Sequence, residues 1–180
     1  MSAGARLGVD RIETARMIGE RLRAEHLDEL CRLLLAPEVV ATTWPFAHPP
    51  TRADVAESLR AKVEHWERHG FGMWLLRDRA SGEMVGRGGL QYTYTAGLDA
   101  VEAAWAIAPE RWGRGLGTEL ARAELQVAFA RLDLLEVVAF TLPDNVASRR
   151  VMEKTGFGYE REIVHAGLPH VLYRRPRDGR

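Results

Sequence analysis

A mixed α/β fold is what this sequence predicts, and three observations predict it. Segments of strand character alternate with segments of helical period along the 180 residues, and both hairpin links and longer crossovers join them. One apolar run, 101–107, passes through Pro109 into Trp112-Gly113-Arg114-Gly115-Leu116-Gly117-Thr118-Glu119 and then into a helical pattern. A second run, 137–142, passes through Pro143-Asp144-Asn145 into a short helix that Gly156 ends. The expected fold class is therefore α/β, with a central mixed sheet flanked by helices.

Residues 16–22 read as a first strand that tolerates Gly19 and Glu20, and 25–35 as a helix. The proline-rich stretch 37–50 reads as irregular. Thr51 and Asp54 stand at the spacing of a helix N-cap, so a long helix is expected from there to about His69. Residues 71–77 and 84–92 form a hairpin around Ser81-Gly82. After the strand 101–107, Leu116, Leu120, Ala121, Leu125, Ala128 and Leu132 recur at helical spacing. The strand 137–142 and its short helix come next, and 159–164 and 170–175 close the order around Gly167-Leu168-Pro169. Residues 174–180 read as a frayed basic tail.

One domain over residues 1–180 is expected, with a core of about 13–175 and short tails at both ends. Hydrophobic residues make up 46%, which excludes a disordered chain. Acidic and basic residues number 25 each, which argues against a general electrostatic nucleic-acid binder. The single cysteine, Cys31, has Leu30, Leu33 and Leu34 around it and reads as a buried thiol. Residues 1–10 lack the apolar core of a secretory leader, and no run approaches ~20 apolar residues. A cytoplasmic protein that does not engage membranes is the expectation.

The glycine turn carries the first chemical signal. Three glycines at alternate positions suit neither a helix interior nor a strand, where each costs roughly 0.5–1 kcal/mol relative to Ala. They stand where a strand hands over to a helix N-terminus. The first N–H groups of a helix have no partner within it, and its dipole favours anions, so the turn predicts a phosphate-bearing ligand. A P-loop needs Lys and then Ser or Thr after its last glycine, and a dinucleotide fingerprint needs Gly-x-Gly-x-x-Gly. Gly-x-Gly-x-Gly fits neither, so an ATP- or NAD-dependent enzyme is a weak alternative.

The turn instead resembles the acyl-coenzyme-A loop of the GCN5-related N-acetyltransferases, Arg/Gln-x-x-Gly-x-Gly/Ala, with Trp112 in place of the usual Gln or Arg. Pro143-Asp144-Asn145-Val146-Ala147-Ser148, followed by Lys154-Thr155-Gly156-Phe157, resembles a second segment of the same family. Trp-Gly-Arg-Gly followed by Thr-Glu looks like the RimJ/RimL-like branch. Glu13-Thr14-x-Arg16 and Gly167-Leu168-Pro169-His170 look like that branch as well.

The resemblance implies an acetyl-CoA-dependent N-acetyltransferase that acts by direct attack of a primary amine, on a protein N-terminus or a small molecule, without a metal. A non-catalytic acyl-CoA-binding or regulatory domain is the alternative. The main-chain N–H groups of Arg114, Gly115, Leu116, Gly117 and Thr118 are expected to take the pyrophosphate, with a contact from the Arg114 side chain. The resemblance implies that the backbone of Ile107 and Ala108 bonds the pantetheine arm like an added strand, which requires the neighbouring parallel strand to splay. Asn145 either caps its helix or bonds the pantetheine. Arg149 and Arg150 either reach the nucleotide end or form a solvated helix face.

Ser148, three residues after Asn145, is the implied general acid, with Tyr159 as its rival. Glu102 is the only carboxylate in an otherwise apolar strand, a costly place for a charge unless a site or a partner receives it. By the resemblance it is the base; otherwise it faces outward or pairs near the strand start. His65 and His69 stand four apart, but His-Trp-Glu-Arg-His is not the His-Glu-x-x-His of zinc proteases, so no metal site is expected. His170 lines the acceptor site by resemblance, or is an ordinary strand residue. Trp44 and Phe46 form either an aromatic wall for the acceptor or a latch on the stretch around them. Exposed strand edges and the family are compatible with a homodimer.

Overall fold

The computed structural model describes residues 9–44 and 48–178. In chain order the elements are β1 (Arg11–Glu13), β2 (Met17–Arg21), α1 (Leu27–Leu34), α2 (Pro37–Thr43), α3 (Arg52–His69), β3 (Met73–Asp78), β4 (Met84–Thr93) and β5 (Ala100–Ile107). They continue with α4 (Leu116–Ala130), β6 (Glu136–Thr141), α5 (Val146–Lys154), β7 (Gly158–His165) and β8 (Leu168–Pro176). The strands make one eight-stranded mixed sheet in the order β1-β2-β3-β4-β5-β6-β8-β7. The predicted α/β class with a central mixed sheet is thus the observed one.

Every neighbouring pair in the sheet is antiparallel except β5 and β6. β4 and β5 stay in register from Thr93↔Ala100 to Gly86↔Ile107. β5 and β6 meet at one bridge only, Glu102↔Val138. Beyond Glu102 the two parallel strands form no further bridge. Ala108 N–H bonds Val85 O at 2.8 Å. The alternation of an antiparallel pair then turns the main-chain groups of Trp105 and Ile107 away from β4 and toward the gap.

Helices cover both faces. Leu116, Leu120, Leu125 and Ala128 of α4 pack with Leu90, Val101, Ala103 and Val137 on one. Leu30 of α1 and Val55 and Leu59 of α3 pack with Met73 and Leu75 on the other. Each fully buried leucine contributes about 1.5–3 kcal/mol. Trp66 and Trp74 lie in the core with their indole N–H groups bonded to Met73 O and Val9 O, both at 2.8 Å. Gly72 must be glycine here, because a Cβ would sit 2.6 Å from the Trp66 ring nitrogen. Cys31 is buried, as its neighbours predict.

Thr51 accepts from the N–H of Asp54, and Asp54 accepts from Thr51 N–H at 2.7 Å, so the expected cap of α3 is a full capping box. Three other expectations are corrected. The stretch after Leu35 is not irregular throughout, because Pro37 opens α2 at a first-turn position where its missing N–H costs nothing, and Val39 anchors the helix in the core. A short strand, β1, precedes the first strand read from the sequence. Residues 174–176 are not frayed: Arg174 extends β8 and is ion-paired with Glu136 and Glu160. Among the described residues, no helix is long and apolar enough to cross a membrane.

Candidate active site

Where β5 and β6 form no bridge, two cavities meet over the sheet. One, of about 360 Å³, lies between the end of β5, the glycine turn and α5. Trp105, Ile107, Trp112, Gly113, Gly115, Leu116, Gly117 and Thr118 line it from one side, and Ala147, Val151 and Lys154 from the other. The second, of about 590 Å³, lies between α2, α3, β4, β5 and the end of β6. Thr42, Thr43, Trp105, Asn145 and Ser148 border both. Two cavities that share these residues can bring two molecules together at the junction.

The glycine turn is shaped for close approach. Gly113 and Gly115 have φ of 73° and 76°, a region that favours glycine. A Cβ on Gly113 would meet nothing within 4 Å, so the space beside it is open to a ligand. Gly115 occupies the N-cap of α4 without any side-chain cap, which leaves the first N–H groups of a fifteen-residue helix facing the cavity. Arg150 and Lys154 of α5 border the same space. Open backbone donors at a helix N-terminus with cations opposite fit a phosphate-bearing cofactor such as coenzyme A. The turn is fastened from outside. Arg16 donates from Nε to Glu119 at 2.7 Å and from a terminal nitrogen to Arg114 O at 2.7 Å.

Not every nominated cofactor contact faces this cavity. Ile107 lines it, but its carbonyl accepts from the Trp112 indole at 2.7 Å. Ala108 and the Arg114 side chain do not line it, and the Ala108 N–H is held by Val85. Arg149 turns away and bonds the Tyr173 hydroxyl and Pro143 O. Lys154, which sequence reasoning missed, occupies the place opposite the turn.

Asn145 is both cap and clasp. Its Oδ1 accepts from Ser148 N–H at 3.1 Å, while Nδ2 donates to Thr141 Oγ1 at 2.9 Å and to Thr42 O at 3.1 Å. It thereby ties α5 to β6 and α2 at the meeting point of the cavities. Ser148 stands one turn in, and its Oγ accepts from the Trp105 indole N–H at 3.2 Å. That bond uses a lone pair and leaves the hydroxyl proton free to donate. Tyr159 is not brought to the site. The residue is 57% exposed on β7, its ring stacks edge-on against Tyr173, and it lines neither cavity.

Glu102 is buried and borders the larger cavity. Burial pushes its carboxyl above the usual range, against the hydrogen bond from Gln91 and the positive charges of Lys62 and Arg87. Lys62 is half-buried beside it, and burial together with the Arg87 charge brings its ammonium down to about 8. Further along the same cavity stand Phe140, His165 and His170. His170 bonds Leu168 O through Nδ1, and His165 lies against Thr95. Trp44 lines this cavity too, whereas Phe46 lies outside the described residues. His65 does not pair with His69 as a ligand set. Its two ring nitrogens are taken by Phe71 O and Tyr92 N–H.

Residues 16–158 match the family described as Acetyltransferase (GNAT) domain. The chain is 31% identical over 157 residues to the FsC-acetyl coenzyme A-N(2)-transacetylase of Aspergillus fumigatus, covering 81% of this chain. It spans 62–63% of the length of the curated relatives it matches. A solved GnaT-family acetyltransferase from Bordetella pertussis superposes with a TM-score of 0.78 at 27% identity, covering 92% of this chain and 98% of that one. RimL, a ribosomal L7/L12 alpha-N-protein acetyltransferase solved with coenzyme A, shares the fold with a TM-score of 0.73 at 19% identity, over 93% of this chain and 98% of that one.

Proposed function

The chain belongs to the GNAT acetyltransferase family, and from that premise we propose that it transfers an acetyl group from acetyl-CoA to a primary amine by direct attack, with no covalent enzyme intermediate. The observation that carries this reading is the meeting of the two cavities at Trp105, Asn145 and Ser148. The smaller cavity takes the cofactor and the larger one the amine. Acetyl-CoA supplies the acetyl group as an activated thioester.

The chain's own residues do the rest. The N–H groups of Gly115, Leu116, Gly117 and Thr118 hold the pyrophosphate, with Arg150 and Lys154 across the cleft. The edge of β5 at Trp105, which β6 does not bridge, aligns the arm, so proximity supplies much of the acceleration. Glu102 receives the proton of the amine through an intervening water, and its raised pKa makes it a stronger base than an ordinary carboxylate. As the new C–N bond forms and the C–S bond breaks, the Ser148 hydroxyl gives its proton to the departing sulfur. The Trp105 indole holds that hydroxyl in place. Tyr159 has no part in the reaction, because it lines neither cavity.

The test is a melting-temperature comparison with acetyl-CoA, CoA, ATP and NAD at saturation, followed by thiol release with a broad amine panel. A ligand at 100 times its Kd adds about 2.7 kcal/mol of stability. A shift with the two CoA compounds alone, followed by amine-dependent thiol release, is the expected result. A shift with ATP or NAD alone would overturn the cofactor assignment. CoA binding without turnover of any amine would favour a binding domain.

A further inference from the structure

We propose that Lys62 of α3 and Arg87 of β4 form an anion subsite in the larger cavity, and that the acceptor is a small amine that also carries a carboxylate. This rests on the assignment of that cavity to the amine.

The case begins with pairing. Among the described residues, several other half-buried guanidiniums have carboxylate partners: Arg77 with Glu20 and Glu29, Arg111 with Asp78 and Glu83, and Arg174 with Glu136 and Glu160. Lys62, which borders the cavity, makes no hydrogen bond or ion pair among the described residues. Arg87 borders the same cavity. It makes one weak contact, from a terminal nitrogen to Met73 Sδ at 3.8 Å, and its buried Nε has no partner. Glu102, whose charge acts on both cations, bonds Gln91 instead of either, and Glu124, which also acts on Arg87, makes no side-chain hydrogen bond to it.

Neither cation is thus joined to a carboxylate, although Glu102 acts on both and Glu124 on Arg87. Leaving such charges half-buried and unpaired is costly in a folded chain. A ligand carboxylate answers both at once, since a guanidinium presents a planar fork to it and an ammonium adds a point charge. The same positive pair repels a polyamine. A cavity of about 590 Å³ is also of the size that encloses a small molecule. With its carboxylate at Lys62 and Arg87, such a ligand presents its amine beside Glu102, toward Ser148.

The test compares the free L-amino acids with their carboxamides, which keep the amine and lose the charge. Thiol release is measured with acetyl-CoA, and melting temperatures are measured with and without CoA. The N-acetylated forms of both series are included as product mimics. At least one free amino acid is expected to exceed its amide in kcat/KM on the order of 10–100-fold, the scale of a charged hydrogen-bond pair. Lys62→Met and Arg87→Gln should each bring that ratio to near unity while the melting shift with CoA persists. Lys62 stands on a helix face, so its variant remains informative if Arg87→Gln folds poorly. Equal rates for acids and amides would overturn the proposal. So would a carboxylate preference that survives in Lys62→Met, or a panel in which no free amino acid is turned over or raises the melting temperature. Loss of the CoA shift in the parent protein would instead count against the cofactor assignment.

Discussion

Gln91 and Glu102 stand directly opposite each other across the β4–β5 pair, and Gln91 Nε2 donates to Glu102 Oε2 at 3.1 Å. The bond occupies one carboxylate oxygen and leaves Oε1 for the cavity. It also works against burial, lowering a pKa that burial raises.

Activity should therefore fall on the acid side above the ordinary carboxylate range, which centres near ~4.3 for Glu. A base must be deprotonated, so kcat/KM rises with pH through the raised pKa of Glu102. Glu102→Gln should lower kcat by roughly 10²-fold or more and flatten that limb. Gln91→Leu, which removes the opposing bond, should move the limb to higher pH. A pH–rate profile of the three proteins checks this, and an unmoved limb in Gln91→Leu would count against Glu102 as the titrating group.

Ser148→Ala should reduce kcat by roughly 10–10²-fold with little change in KM for acetyl-CoA, because the lost proton donor matters only as the sulfur departs. Tyr159→Phe should match the parent protein, since that residue lines neither cavity. Steady-state kinetics on both variants decides between the two hydroxyls. A slow Tyr159→Phe beside an unaffected Ser148→Ala would reverse the assignment.

Two glycines in the turn should fail in different ways. Gly115 has φ of 76°, so Gly115→Ala should cost about 1–2 kcal/mol of stability through the left-handed backbone alone. Gly117 has no such restriction, and a Cβ there would meet only Val151 at an ordinary 3.4 Å. Gly117→Val should keep most of the stability yet weaken CoA binding about tenfold or more, by filling the approach to the helix N-terminus. Thermal melts and CoA titrations separate the two effects.

Glu124 offers a test of stability alone. It is fully buried on α4, and burial raises its pKa well above the ordinary value. A carboxyl whose folded pKa exceeds its unfolded one binds more protons when folded. Its contribution therefore falls as pH rises from about 4.3 toward the folded value. Glu124→Gln should lessen the decline in melting temperature between pH 5 and pH 8. An unchanged slope would mean that the group is already solvated or paired.

The unit from β5 through the glycine turn to α4 was legible in the sequence, because the hydrophobic period changes there from strand to helix and glycine marks the change. The spacing of Asn145 and Ser148 was legible for a similar reason, since a cap and its first turn are local. The convergence of Lys62, Arg87 and Glu102 was not. They come from α3, β4 and β5, and only the sheet register and the helix packing bring them to one cavity. The contact between Trp105 and Ser148 was hidden in the same way. α2 was missed because proline ends a helix when it falls inside one but starts a helix from its first turn. The C-terminal arginines looked like a solvated tail because their partners, Glu136, Glu160 and Asp133, lie in other parts of the chain.

The single bridge between Glu102 and Val138 makes the sheet two plates joined along a weak seam. Five strands lie on one side and three on the other. Besides that bridge, the packing of α4 and α5, the clasp of Asn145, the contact of Thr95 with His165 and the packing of Leu98 against Val138 hold the plates together. A long ligand laid along the seam would work as a splint as well as a reactant, stiffening the joint between the plates while it is in place and letting them flex once it leaves.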